Sequence, residues 1–265
     1  MAPKINHPSI SYSCYYAKNR EGEQFVSEHV FSYQISGTLT LGYGEKQHVF
    51  NPGDFRLIRR NQLVKFLKEP PPGGEFRSVS VYLDQHTLRS MSVEHDIRAS
   101  SPTAKGSFVS LAPRPLLKSY IDSLSPYNQD GVKMDPKLVA IKLREAIFIL
   151  LQGNPELKEM LFDFSDPIKT DLHAFMEKNF HFNVPLERFA YLTGRSLATF
   201  KRDFQKIFGN SPSKWLQQRR LHEAHYQISE KGRSASEIYL ELGFENLSHF
   251  SFAFKNRYGV SPSRL

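Results

Sequence analysis

Cysteine is almost absent: Cys14 is the only one in 265 residues. A single thiol cannot form an internal disulfide, and a zinc site built from cysteines is excluded. Long apolar runs are missing too. A bilayer-spanning helix takes about 20 apolar residues in a row, and no stretch of the chain supplies them. The N-terminal "MAPKINHPSISYSCYY" has no apolar core of the secretory kind. These absences lead to the expectation of a cytoplasmic protein with no membrane partner. There is no Gly-rich phosphate loop and no nucleophile motif, so catalytic residues and a cofactor are not expected.

What is present is an ordinary core-forming composition, 40% hydrophobic, in a chain long enough for two domains. The net charge is +8, and it is unevenly spread. Residues 167–265 hold 15 Lys/Arg against 9 Asp/Glu, a net of +6, which leaves +2 for residues 1–166. A basic C-terminal third suits a polyanionic partner, although many basic domains bind none.

Residues 10–110 read as β structure. "EQFVSEHVFSYQISGTLTLGYGEKQHVF" is rich in Val, Phe, Tyr, Ile and Thr, and "GYGE" has the look of a turn between strands. "NPGDFRLI" sets a Pro-Gly-Asp turn before another strand, "EPPPGGEF" is a loop, and "RSVSVYLD" alternates. Such short strands predict a small sandwich or barrel. From about residue 113 the pattern turns helical. One helix starts near Pro115. A stronger one follows in "DPKLVAIKLREAIFILLQG", with Asp135 as cap, Pro136 in the first turn and Gly153 at the end. Its apolar residues cover more than one face, which points either to full burial within one chain or to a second subunit. "NPELKEMLFDFSDP" lacks periodicity and reads as a linker.

Beyond the linker the chain repeats itself. Residues 184–216, shifted forward by 50, lie on 234–265 without a gap: Glu187 on Glu237, Phe200 on Phe250, Phe204 on Phe254, Gly209 on Gly259, and Pro212 on Pro262. Each copy reads as helix, tight turn, helix. Pro185 starts the first helix of copy one and Gly194 ends it. In copy two Ser234 and Glu237 have the spacing of a capping box, and Gly243 ends the helix.

Helical spacing assigns the faces of the second helix in each copy. Leu197, Phe200, Phe204 and either Ile207 or Phe208 form the buried stripe of copy one, and Leu247, Phe250, Phe254 and Tyr258 that of copy two. Opposite lie Ala198, Lys201, Arg202 and Gln205, and Ser248, Ser251, Phe252 and Lys255. Lys, Arg and Gln suit a solvated face as readily as DNA. Serines beside an exposed Phe are poor surface choices, and they fit base edges, where a Phe meets a thymine methyl. With the adjacent Thr199 and His249, these are the base-reading candidates. Phosphate candidates are Arg195, Lys206, Lys214, Arg219, Arg220 and Arg257. Between the copies, "SPSKWLQQRRLHEAHYQISE" predicts a helix of roughly 25–30 Å. As a rigid spacer it would hold two reading helices about one DNA turn apart.

The pattern "SASEIYLELGFENLSHFSFAFKNRYGVSPSRL", with "RRLHEAHYQI" before it, resembles the signature of AraC/XylS-type bacterial transcription regulators. Leu242, Gly243, Phe244, Phe250, Phe254, Lys255, Gly259, Ser261 and Pro262 fall in register with it. The resemblance covers about residues 167–265 and implies two helix-turn-helix units on promoter DNA. At the position of Phe252 such regulators often carry Arg or another polar residue, so less base hydrogen bonding is expected from the second unit here. Members also commonly continue past the Ser-Pro motif with a further helix, for which "SPSRL" leaves only a stub.

The N-terminal region resembles, on fewer residues, the regulatory domain of the same family, a cupin-like barrel followed by dimerising helices. The architecture so implied is α+β. A cupin-like β-barrel domain spans residues 1–152, with its helices at about 113–152. A linker spans 153–166, and an all-α double helix-turn-helix domain spans 167–265. The resemblance implies an activator, a homodimer, RNA polymerase as partner, and an effector that is a small molecule or a protein. Strand alternation puts His29, Phe31, Tyr33 and Ile35 on one face of a strand, as lining of an effector pocket or as plain core, with Val30, Ser32, Gln34 and Ser36 on a more solvated face. Two rival classes are a cupin-type metal enzyme fused to a basic helical domain and a nonspecific architectural DNA-binding protein. Metal-binding cupins use a close His-x-His pair, whereas His29 and His48 stand alone. No metal site is therefore expected.

Overall fold

The computed structural model describes residues 9–17, 24–43, 46–100, 106–127 and 134–265. It divides into two compact units, the first running to Ser165 and the second from Asp166 to Leu265.

The first unit carries the strands. They are β1 (Ile10–Tyr15), β2 (Gln24–Val26), β3 (His29–Ser36), β4 (Thr38–Tyr43), β5 (Lys46–Phe50), β6 (Phe55–Ile58), β7 (Gln62–Glu69), β8 (Phe76–Leu83) and β9 (Phe108–Leu111). They form two sheets, ordered β1-β8-β3-β6-β9 and β2-β7-β4-β5, and not a closed barrel. The tip of the expected "GYGE" turn, Gly44 and Glu45, lies outside the described residues.

The sheets explain why β3 is buried on both sides. Phe31 joins Phe55, Leu57, Val79 and Val81 on one face, packed against helices. Val30 joins Ile58 and Phe76 on the other face, together with Leu39, Leu41, Phe50 and Val64 of the second sheet. The expectation that Val30, Ser32 and Gln34 face water is therefore wrong: all three are buried. A strand covered by helices on one face and by a second sheet on the other has no wet side.

The helices of this unit are α1 (Gln85–Glu94), α2 (Pro115–Leu124), α3 (Pro136–Gly153) and α4 (Lys158–Leu161). Asp135 caps α3 as expected, accepting from the Lys137 N–H at 2.7 Å. The sequence reading missed α1. Its signals were Asp84, which accepts from the Thr87 N–H at 2.8 Å, and the buried pair Leu88 and Met91. The expected linker is also corrected. Residues 155–161 form a 3-10 turn and α4, and Leu157, Met160, Leu161 and Phe162 sit in the helix-covered core. Two prolines hid a short buried segment whose apolar residues are spaced for a turn, not for a long helix.

The second unit is helical throughout: α5 (Leu172–Asn179), α6 (Leu186–Leu192), α7 (Leu197–Phe208), α8 (Pro212–Ser229), α9 (Ala235–Ile238) and α10 (Leu247–Tyr258), closed by a 3-10 turn at Pro262–Arg264. α9 is shorter than expected. Turns carry the chain from Tyr239 to Gly243, which adopts φ 82°. A Cβ on Gly243 would lie 2.8 Å from the His181 carbonyl oxygen, so only glycine fits there.

Candidate nucleic-acid interface

α7 and α10 repeat one construction at an offset of 50 residues. Ser196 caps α7 by accepting from the Thr199 N–H at 3.2 Å, and Asn246 caps α10 by accepting from the His249 N–H at 2.7 Å. Both helices end in a left-handed glycine, Gly209 at φ 66° and Gly259 at φ 79°. Both are followed by a buried proline, Pro212 and Pro262. The helices leading into them are α6, which starts beyond Pro185, and α9, which is held by the reciprocal Ser234–Glu237 capping box.

The buried faces follow the apolar spacing with two changes. Phe200 and Phe204 are fully buried in α7, Phe208 is half-buried, and Ile207 is exposed. In α10, Phe250 and Phe254 are fully buried and Ala253 shares their face. Leu247, expected in the core, is 39% exposed. As the first residue of α10 it sits ahead of the packed turn.

α8 holds the two helices from its opposite halves. The Trp215 ring lies 5.5 Å from that of Phe204 and 4.6 Å from that of Phe208. The His225 ring lies 4.6 Å from that of Tyr258 and stacks on Phe254 at 6.2 Å. At 1.5 Å per residue its 18 residues span about 27 Å.

The outward faces carry the base-reading candidates. Ala198, Lys201, Arg202 and Gln205 are exposed on α7, with Thr199 half-buried beside them. Ser248, His249, Phe252 and Lys255 are exposed on α10, with Ser251 half-buried. Phe252, at 66% exposure, stands well away from the buried Phe250 and Phe254. Of the phosphate candidates, Lys206, Lys214 and Arg257 are exposed.

Three other phosphate candidates are taken up within the fold. Arg195 Nε donates to Asp203 at 3.1 Å, and its Nη1 donates to the carbonyls of Thr170 and Thr193. Arg219 bonds Glu177 and Glu223 and lies 4.1 Å from the centre of the Phe180 ring. Arg220 donates to the carbonyls of Phe180, Phe182 and Gly243 at 2.7–2.9 Å. A guanidinium whose donors are aimed at carbonyls and carboxylates is a brace. The sequence reading also missed Asp203, whose visible signal is a lone acid among Lys201, Arg202 and Lys206. Its carboxyl is held below the usual range, first by the Arg195 hydrogen bond and then by the charges of Lys169, Arg195 and Arg202.

The effector-pocket candidates lie on the helix-covered face of β3. The Phe31 ring is 6.1 Å from those of Phe55 and Tyr120, and that of Tyr33 is 4.5 Å from Phe55. His29 is fully buried, and its Nδ1 accepts from the Arg60 backbone N–H at 3.3 Å. The space between the sheets is lined by the opposite face. Among the described residues, no cluster of three His, Cys, Asp or Glu could hold a metal, and no helix is long and apolar enough to cross a membrane.

A β-rich unit followed by two capped helix-turn-helix units defines a DNA-binding transcription regulator with an N-terminal regulatory domain. Residues 29–161 match the family described as ExsA N-terminal regulatory domain, and residues 189–265 match a helix-turn-helix domain family. The chain is 26% identical over 237 residues to the HTH-type transcriptional regulator ExsA of Pseudomonas aeruginosa, covering 87% of this chain and 83% of that one. It is 36% identical over 93 residues to the virulence regulon transcriptional activator VirF of Yersinia enterocolitica, covering 35% and 34%. A solved structure of ToxT from Vibrio cholerae aligns over 98% of both chains at 14% identity, with a TM-score of 0.43. The chain belongs to the AraC/XylS-type family of transcription regulators.

Proposed function

We propose that this regulator reads its promoter with α7 and α10 in two successive major grooves, as a cytoplasmic homodimeric activator. The observation that carries the reading is the 50-residue repetition of cap, buried Phe pair, left-handed glycine and proline, with one polar face left outward in each copy. A helix about 27 Å long between the copies suits grooves one helical turn apart, roughly 34 Å. α7 contributes Lys201, Arg202 and Gln205 to base edges, and α10 contributes Ser248, Ser251 and Phe252. Lys206, Lys214 and Arg257 remain for phosphates.

Dimerisation is assigned to α3. Leu138, Ile141 and Phe148 leave an exposed apolar row there, with Ile141 at 59%. The name of VirF, a transcriptional activator, favours activation through RNA polymerase.

Hydroxyl-radical footprinting on the promoter, with excess bulk DNA as competitor, tests the groove assignment. Two protected segments on one face of the duplex, about 10 bp apart, are expected. Uniform protection that bulk DNA removes would make the protein a nonspecific binder. Sedimentation equilibrium tests the dimer: Ile141→Asp should halve the mass, and an unchanged mass moves the interface elsewhere.

A further inference from the structure

The inner face of the five-stranded sheet carries an unusual row. Strand register sets Ser11 beside Ser80, Ser80 beside Ser32, Ser32 beside Arg56, and Arg56 beside Ser110. The adjacent row sets Ser13 and Gln34 on either side of Ser78. Val30 and Ile58 place this face against the second sheet. Ser32, Gln34, Ser78 and Arg56 are all buried, Arg56 at 2% exposure.

Arg56 is a cation without a carboxylate. Its Nη1 reaches Gln34 Oε1 at 3.4 Å, and its Cζ lies 5.0 Å from the centre of the Phe50 ring. Its Nε is buried and has no hydrogen-bond partner among the described residues. Gln34 is oriented for this contact, because its Nε2 donates to the carbonyls of Ser36 and Arg77. The facing sheet adds Lys68, also buried, over the Tyr15 and Phe76 rings. No Asp or Glu is buried on this face among the described residues. Burial pushes the Arg56 guanidinium down to about 9.

Packing does not explain this arrangement. An apolar residue at 56 would complete the cluster of Val30, Phe50 and Ile58, whereas an uncompensated buried charge costs several kcal/mol. Small serines beside a guanidinium with an N–H to spare, between aromatic walls, suit a guest that brings the missing negative charge and an apolar body.

We infer that the space between the two sheets binds a small organic carboxylate, with Arg56 as its anchor, Ser32 and Ser80 as neutral partners, and Gln34 orienting the guanidinium. This rests on the regulatory role of the N-terminal unit and is independent of which helix reads DNA.

Thermal unfolding of the full chain tests it, with octanoate and phenylacetate against octanamide and phenylacetamide at millimolar concentration. The acids should raise the wild-type Tm by about 3 °C or more, saturably, and the amides should not. Arg56→Gln should abolish the acid-dependent rise while its ligand-free Tm equals or exceeds that of the wild type. Arg56→Lys should keep part of the rise. A wild type insensitive to the acids overturns the inference. So does a rise that survives in Arg56→Gln, or an Arg56→Gln protein several degrees less stable without ligand, since Arg56 would then be structural. Promoter binding by the same preparations reports separately on DNA reading.

Discussion

Arg195 and Asp203 meet at 3.1 Å, with only 6% of the arginine side chain exposed. The pair ties the turn entering α7 to the middle of that helix, and the same guanidinium holds the Thr170 and Thr193 carbonyls. A basic residue at the foot of a DNA-reading helix therefore sets the helix's angle instead of touching DNA.

Arg195→Ala should cost the C-terminal unit about 2–4 kcal/mol, the expected loss for a nearly buried charged brace with several hydrogen bonds. Its effect on DNA should follow folding: above the salt dependence of the wild type, the slope of log K against log salt should not change. Lys206→Ala should leave stability intact and reduce that slope by about 1. Fluorescence anisotropy across a salt series separates the two. A slope lowered by Arg195→Ala at full folding would return that residue to the phosphate contacts.

Arg202 differs from its neighbour. Its side chain is 67% exposed and lies 3.8 Å from Asp203, on the outward face of α7. Arg202→Ala should cost about 1–3 kcal/mol on the preferred site and relax the preference at one base position. Selection from randomised sites reads this directly. An equal loss on all sequences would make Arg202 a phosphate contact.

Phe252→Ala should weaken promoter binding and change stability by no more than about 0.5 kcal/mol, because the ring packs on nothing that an exposed position offers. If the ring meets a thymine methyl, replacing dT by dU at one site position should weaken the wild type and leave the variant unaffected. A large drop in Tm would place the ring in the core, and equal sensitivity of both proteins to dU would remove the methyl contact.

The helical unit was legible because its chemistry is local. Capping residues, left-handed glycines and the Phe200/Phe204 and Phe250/Phe254 spacing are written within one turn of where they act, and the repeat writes them twice. The braces were not legible. Arg220 resembles any surface arginine until Phe180, Phe182 and Gly243 are brought to it from positions 23 to 40 residues away. The face of β3 was misjudged for a related reason. Alternation gives two faces but not which is wet, and serine beside Gln34 reads as solvent-facing when a second sheet covers it. α4 failed on length, since a four-residue helix between prolines has too few residues to display a period.

Two adjacent residues of the first unit should pull its stability in opposite directions with pH. Burial, with the charges of Arg60 and Arg59, lowers His29 from 6.5 to about 3. Burial, with the charge of Asp84, raises Glu28 from 4.5 to about 7. As pH falls below 6.5 the unfolded chain takes up a proton at His29 that the folded chain refuses, so stability drops, by about 1.4 kcal/mol per pH unit for one proton. As pH falls from about 7 towards 4.5 the folded chain takes up a proton at Glu28 that the unfolded chain does not, so stability rises. The two nearly cancel between 6.5 and 4.5. Urea unfolding at a series of pH values should therefore give Glu28→Gln a stability that falls on acidification relative to the wild type, and His29→Gln one that rises. The slope is the readout, so an overall loss from removing the His29–Arg60 contact does not disturb it. Parallel curves for all three proteins would mean that neither residue titrates in that window on folding.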